Sequence, residues 1–168
     1  MNFAPVVDIY INPDAHVIGS RAYGNDPAEV GLLSLASLRG MREARVIATA
    51  KHFPGHGNAT GDSHGYMPVL KENLDMLMKR DLLPYRMLIA DQVPAILIGH
   101  LAYPNITHDE IPASLNPLLT RKLLRETLGF QGMVITDDLY MGGTATYAST
   151  IGWKLSDIAV ASLKAGND

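Results

Sequence analysis

Two clusters of side chains in this sequence have the types and spacing to make and break a covalent bond. The first is Lys51-His52-Phe53-Pro54-Gly55-His56-Gly57, followed after four residues by Asp62-Ser63-His64, and the second is Asp137-Asp138. In Asp62-x-His64 a carboxylate can accept a hydrogen bond from one imidazole nitrogen. That fixes the tautomer, raises the basicity of the ring and leaves the other nitrogen to exchange a proton with a substrate. Asp137, on a different strand end, can then attack the opposite face of the same substrate carbon, a pattern suited to double displacement. Strand alternation would turn Asp137 and Asp138 to opposite sides, so at most one of them faces a site. The ordinary alternatives are loop hydrogen bonding for a histidine and helix capping or an ion pair for an aspartate. Three histidines in one loop weigh against the first. His52, His56, Asp62 and His64 are also competent zinc ligands. Their spacing is no metal motif, however, and Pro54, Gly55 and Gly57 argue against the helix on which His52 and His56 would share a face. No metal and no cofactor are expected.

These residues need elements to hold them. Phe3 to Tyr10 is a short apolar run that reads as a strand buried on both faces, with Pro5 near its start. Asp26-Pro27-Ala28-Glu29 reads as a helix start with Asp26 as cap and Pro27 in the first turn, and the helix continues to about Glu43. Val46 to Ala50 is a second strand, running into a Gly-, His- and Asp-rich loop over Lys51 to Met67. Leu74, Leu77, Met78 and Leu82 recur at helical spacing until Pro84, which kinks the segment or restarts a helix with Tyr85, Leu88 and Ile89. Ala95 to Gly99 gives a third strand with His100 after it. Asn116-Pro117 opens a helix carrying Leu119, Leu123 and Leu124 that stops at Gly129. Met133 to Thr136 gives a fourth strand, and Trp153, Ile158 and Leu163 help form a last helix ending at Gly166. Strand–helix alternation of this kind predicts an α/β fold with parallel strands and functional groups at the strands' C-terminal ends, where both clusters lie. No linker, repeat or low-complexity tract divides the chain.

Of the 168 residues 47% are hydrophobic and 18% charged, which sets disordered and fibrous classes aside. The formal net charge of -3 comes without a basic block, so no nucleic-acid partner is expected and a neutral, polar ligand fits better. No run approaches the roughly 20 apolar residues of a membrane span. The absence of cysteine excludes a disulfide framework and suits a reducing compartment, which makes the cytoplasm the expected location.

The long gapped motif from Lys51 to His64 resembles that of bacterial β-N-acetylglucosaminidases of glycoside hydrolase family three. The likeness extends along nearly the whole chain. Asn2-Phe3-Ala4-Pro5-Val6-Val7-Asp8 resembles a barrel strand of that family, and Arg21-Ala22-Tyr23-Gly24-Asn25-Asp26-Pro27 resembles its Arg-Ser-Phe-Gly-x-Asp-Pro segment. Gly129-Phe130 with Val134-Ile135-Thr136-Asp137-Asp138-Leu139-x-Met141 resembles its nucleophile strand.

The resemblance implies a (β/α)8 barrel in which Asp137 forms the glycosyl-enzyme and His64, paired with Asp62, is the acid/base in place of the second carboxylate of most retaining glycosidases. It also implies that Arg21, Lys51 and His52 hold sugar hydroxyls. A complete barrel has eight strands and about 250 residues, so residues 1–168 are expected to form a partial barrel beginning near the third strand, and activity is expected of the whole barrel. The implied reaction is exo-acting release of terminal β-linked N-acetylglucosamine, with peptidoglycan-derived muropeptides as substrate. The competing readings are a β-glucosidase or an N-acetylglucosaminide phosphorylase of the same family, and a catalytically dead carbohydrate-binding unit. Phosphorolysis stays open because a neutral imidazole repels an anionic acceptor less than a carboxylate does.

Overall fold

The computed structural model describes residues 1–60 and 63–168. In chain order its elements are α1 (Pro27–Glu43), β1 (Thr49–Phe53), α2 (Leu74–Lys79), α3 (Leu82–Ala90), β2 (Ala95–Ile98), α4 (Pro104–Thr107), a helix over Leu118–Thr127, β3 (Met133–Thr136), α5 (Gly142–Thr150) and α6 (Leu155–Ala165). The strands are parallel and adjacent in the order β1-β2-β3, with Ala95 opposite both Thr49 and Met133. The α/β class and parallel pairing expected from the alternation are present. No described helix is long and apolar enough to cross a membrane.

The N-terminal run lies parallel to β1 through two isolated bridges, Asn2 with Ala48 and Val6 with Lys51. The Ala4 and Pro5 carbonyls accept from Thr49 (2.7 Å) and Lys51 (3.1 Å), and the Val7 N–H donates to the Lys51 carbonyl (2.8 Å). Proline has no N–H to give, so the expected strand over residues 3–10 has a gap in its ladder. A second correction concerns β1. The strand was expected over Val46 to Ala50, but it begins at Thr49 and runs through Lys51 and His52 to Phe53. The pairing with β2 slips between Ala50 and Phe53, which brings Phe53 opposite Ile98. Phe53 is fully buried and meets Tyr85 edge-on at 5.2 Å, so core packing extends the strand by three residues and leaves Val46 and Ile47 exposed. Lys51 and His52 are therefore strand residues, with less freedom than loop residues have.

The helices follow from local chemistry. Asp26 accepts the Glu29 N–H at 2.8 Å and Pro27 occupies the first turn of α1. Val30, Ser34 and Leu38, four residues apart, form its buried face, which packs on α3. The break between α2 and α3 falls at Arg80-Asp81, before Pro84. This leaves Pro84 in the first turn of α3, where helix N–H groups lack partners and a missing one costs nothing. Leu82, Tyr85 and Leu88 of α3 are fully buried and share one core with Ile96 and Ile98 of β2. Each such leucine contributes roughly 2 kcal/mol by burial. The helix over Leu118–Thr127 is wound more widely than an α-helix, as the Leu128 N–H to Leu123 carbonyl bond of 2.9 Å illustrates. Its buried leucines at 119, 123 and 124 fit either winding, so the pattern could not distinguish them. The helix α5 was not anticipated, because Gly142, Gly143, Thr144 and Thr150 are poor helix formers. The last helix ends at Gly166 (φ 110°) as expected, but Trp153 precedes it, against the Tyr147 ring, and Leu163 is exposed.

Gly57 carries the histidine loop past the N-terminal run so closely that a Cβ there would lie 1.9 Å from the Ile9 carbonyl oxygen. Backbone on both sides cannot yield as a side chain would. Gly57→Ala is expected to destabilise the protein by about 3 kcal/mol, read as a lowered urea midpoint; an unchanged midpoint would mean that the contact relaxes freely.

Candidate functional site

Each group of interest stands at a strand's C-terminal end or in the loop beyond it. Lys51 and His52 sit on β1, Asp137 directly follows β3, and Arg21 ends the short turn Gly19–Arg21. Backbone pairing continues into the nucleophile candidate, since the Asp137 N–H donates to the Ile98 carbonyl at 2.9 Å. The Asp137 carboxylate is half-buried and accepts the Asp138 N–H at 3.0 Å. Asp138 is exposed, and its carboxylate accepts the Tyr140 N–H at 2.9 Å, as suits the member of the pair that turns away.

Arg21, Lys51 and Asp137 share one electrostatic neighbourhood. Partial burial and then the Arg21 charge lower the Lys51 pKa, while Asp137 and Asp8 oppose them. Arg21 is exposed and anchored by its Nε–H to the Val17 carbonyl at 3.0 Å. Lys51 thus lies within electrostatic reach of one cation and two carboxylates, a mixture of donors and acceptors that can receive a polar, uncharged ligand.

His52 is held from beneath by a residue read from sequence only as part of a strand. The Asp8 carboxylate is buried, with Oδ2 2.7 Å from His52 Nδ1 and Oδ1 accepting the backbone N–H groups of His56 (2.7 Å) and His52 (3.3 Å). Burial alone would raise the Asp8 pKa, but the facing His52 and His56 outweigh it and hold the carboxyl below the usual range. A charged residue inside the apolar run Val6-Val7-Asp8-Ile9 was the available signal. A lowered carboxyl pKa stabilises the fold above the unfolded value of 3.8, and that contribution is lost as pH falls through the folded value. Asp8→Asn is thus expected to cost about 2 kcal/mol near neutral pH, with the deficit shrinking as the pH is lowered below about 4. Urea melts across that range check it, and a deficit constant with pH would contradict the sign.

The histidine loop is tied down on both sides. His56 is buried and its pKa is lowered, first by desolvation; its Nε2 lies 3.1 Å from the Ser63 hydroxyl. Behind the loop the Tyr103 hydroxyl donates to the Gly55 carbonyl and the Asn58 amide to Glu72. Arg80 bridges Glu72 (3.0 Å) and Asp81 (2.8 Å), and burial pushes Asp81 up to about 6 despite that partner. In front, the N–H groups of Gly142 and Gly143 donate to the His64 and Ser63 carbonyls, both at 2.9 Å. A Cβ on Gly142 would lie 2.5 Å from the Gly65 carbonyl. The loop bearing His64 therefore rests on the start of α5, five residues past Asp137. His64 itself is exposed. Asp62 lies outside the described residues. Among the described residues no group of three His, Cys, Asp or Glu side chains converges as a metal site would require.

Comparison with known proteins shows the family of this chain. Residues 1–168 match the family described as Glycosyl hydrolase family 3 N terminal domain. The β-hexosaminidase LpqI of Mycobacterium tuberculosis is 41% identical over 100% of this chain and 43% of its own length. A glycoside hydrolase family 3 β-N-acetylglucosaminidase from Paenibacillus sp. str. FPU-7 superposes with a TM-score of 0.94 at 38% identity, covering 100% of this chain and 31% of that one. NagZ from Neisseria gonorrhoeae, solved with N-trifluoroacetyl-D-glucosamine, gives 0.86 at 32% identity over 99% of this chain and 45% of that one. The chain belongs to glycoside hydrolase family 3, within its N-terminal domain. It spans less than half the length of these relatives.

Proposed function

We propose that this chain supplies the nucleophile and the acid/base of a retaining, exo-acting glycosidase that releases terminal β-linked N-acetylglucosamine, within a (β/α)8 barrel larger than residues 1–168. The observation that carries the reading is the hold of α5 on the histidine loop: the Gly142 N–H binds the His64 carbonyl at 2.9 Å, so one segment brings the proton-transfer residue to the turn that follows Asp137. In the first step an Asp137 oxygen attacks the anomeric carbon while the bond to the leaving oxygen breaks and His64 gives that oxygen its proton. In the second, water attacks the same carbon, His64 takes back a proton, and Asp137 leaves as a free carboxylate. Asp62 fixes the His64 tautomer in this scheme. Arg21, Lys51 and His52 bind sugar hydroxyls, and the acetamido group is a recognition handle because a protein carboxylate does the attacking.

The relatives' names support the substrate class, and muropeptides in the cytoplasm are the natural source we propose. The full-length protein should gain one sugar in mass, mapping to Asp137, after incubation with a slow fluoro-sugar analogue of N-acetylglucosamine. No adduct, or an adduct elsewhere, overturns the nucleophile. Product analysis in phosphate buffer separates hydrolysis from phosphorolysis, since only the latter yields the sugar 1-phosphate.

A further inference from the structure

His100 stands at the end of β2, is fully buried, and plays no part in the reaction just described. Its ring is held at both nitrogens: Nδ1 lies 2.7 Å from the Ser114 hydroxyl and Nε2 2.9 Å from the Asp138 carbonyl. A carbonyl can only accept, so Nε2 carries the hydrogen. In a neutral ring Nδ1 must then accept, which obliges the Ser114 hydroxyl to donate. Desolvation lowers the His100 pKa, in keeping with a neutral ring.

Resting on the reading of Asp137 as nucleophile, we propose that His100 is a positioning residue for it: the Nε2–H fixes the Asp138 carbonyl, one peptide beyond those that flank Asp137, and thereby the turn that carries the Asp137 carboxylate. Two supports define the aim of that carboxylate. On the N-terminal side the Asp137 N–H is locked to Ile98 by the sheet. On the C-terminal side the Asp138 carbonyl accepts from Met141 N–H at 3.0 Å and from His100, so the turn is gripped from its own chain and from the neighbouring strand. The same ring backs the start of α5, where a Cβ on Gly143 would meet the His100 Cβ at 2.7 Å and the Ser63 carbonyl at 3.3 Å. His100 thus supports the turn after Asp137 and the helix start that carries the His64 loop.

The test uses the full-length protein and the rate at which the fluoro-sugar labels Asp137, with thermal melting to establish folding. His100→Phe keeps ring volume but removes the donor, and His100→Gln keeps a donor near the Nε2 position. His100→Phe should label about 100-fold more slowly with unchanged analogue affinity, because small misplacements of a reacting group cost about that much, and His100→Gln should recover most of the rate. If His100→Phe does not fold, Ser114→Ala decides: it removes the donor that holds Nδ1, leaves the ring anchored through Nε2 alone, and should slow labelling roughly tenfold. A folded His100→Phe or Ser114→Ala variant that labels at the wild-type rate overturns the proposal. Equal losses in His100→Phe and His100→Gln also overturn it, since packing would then be the cause. Wild-type protein that never labels at Asp137 instead overturns the nucleophile assignment, a result distinct from either.

Discussion

Asp137→Asn should lower kcat/KM for aryl N-acetylglucosaminides on the order of 10⁴-fold, the scale on which removal of an attacking group is felt. The size of the effect follows from the mechanism. A neutral amide oxygen at the same place cannot form a stable ester with the anomeric carbon, and it cannot stabilise the positive charge that develops there. Folding should be nearly untouched. The side chain is half-buried and accepts one local N–H from Asp138, which the amide oxygen can still receive. Full-length protein carrying this substitution should therefore melt within a few degrees of the parent. A variant that keeps more than a tenth of the parent's kcat/KM would remove Asp137 from the reaction.

His64→Ala should show an effect whose size depends on the substrate. For a glycoside whose leaving oxygen needs a proton, loss of the general acid should cost about 10³-fold in kcat/KM, within the usual range for positioned proton transfer. Nitrophenolate departs without help, so for the nitrophenyl glycoside the same ratio should fall by about tenfold or less. The ratio kcat/KM is the right quantity because it reports the first irreversible step, glycosylation. Turnover of the nitrophenyl substrate at saturation would fall further, since deglycosylation still lacks its base. The exposed position of His64 suits a group that must reach both a leaving oxygen and a water. Equal losses of kcat/KM on both substrates would count against His64 as the acid.

The parts of this molecule that were legible in its sequence are those fixed by neighbours along the chain. The runs Ala95–Ile98 and Met133–Thr136 are apolar, bounded by turn residues, and form strands at those positions. Asp26 with Pro27, and Gly166, mark helix ends by chemistry that acts over three or four residues. What escaped was set by contacts distant in sequence. The extension of β1 to Phe53 depends on Ile98 and Tyr85, and the Asp8 carboxylate acquires its meaning from His52, 44 residues away. The helix α5 was hidden because its first residues are glycines, chosen for close approach to residues 63–65 against their own helix propensity. The motifs named the candidate groups. Of their supports, Ser114 and Gly142 have no local signature, and Asp8 has only its charge within an apolar run.

The short span from Asp137 to Gly142 has a meaning for inheritance. The nucleophile candidate and the hook for the opposite loop are encoded within one stretch of six codons. An exchange of sequence between related chains at almost any boundary outside that stretch would transmit both together. A crossover inside it would separate the candidate nucleophile from the backbone amides that hold the Ser63 and His64 carbonyls.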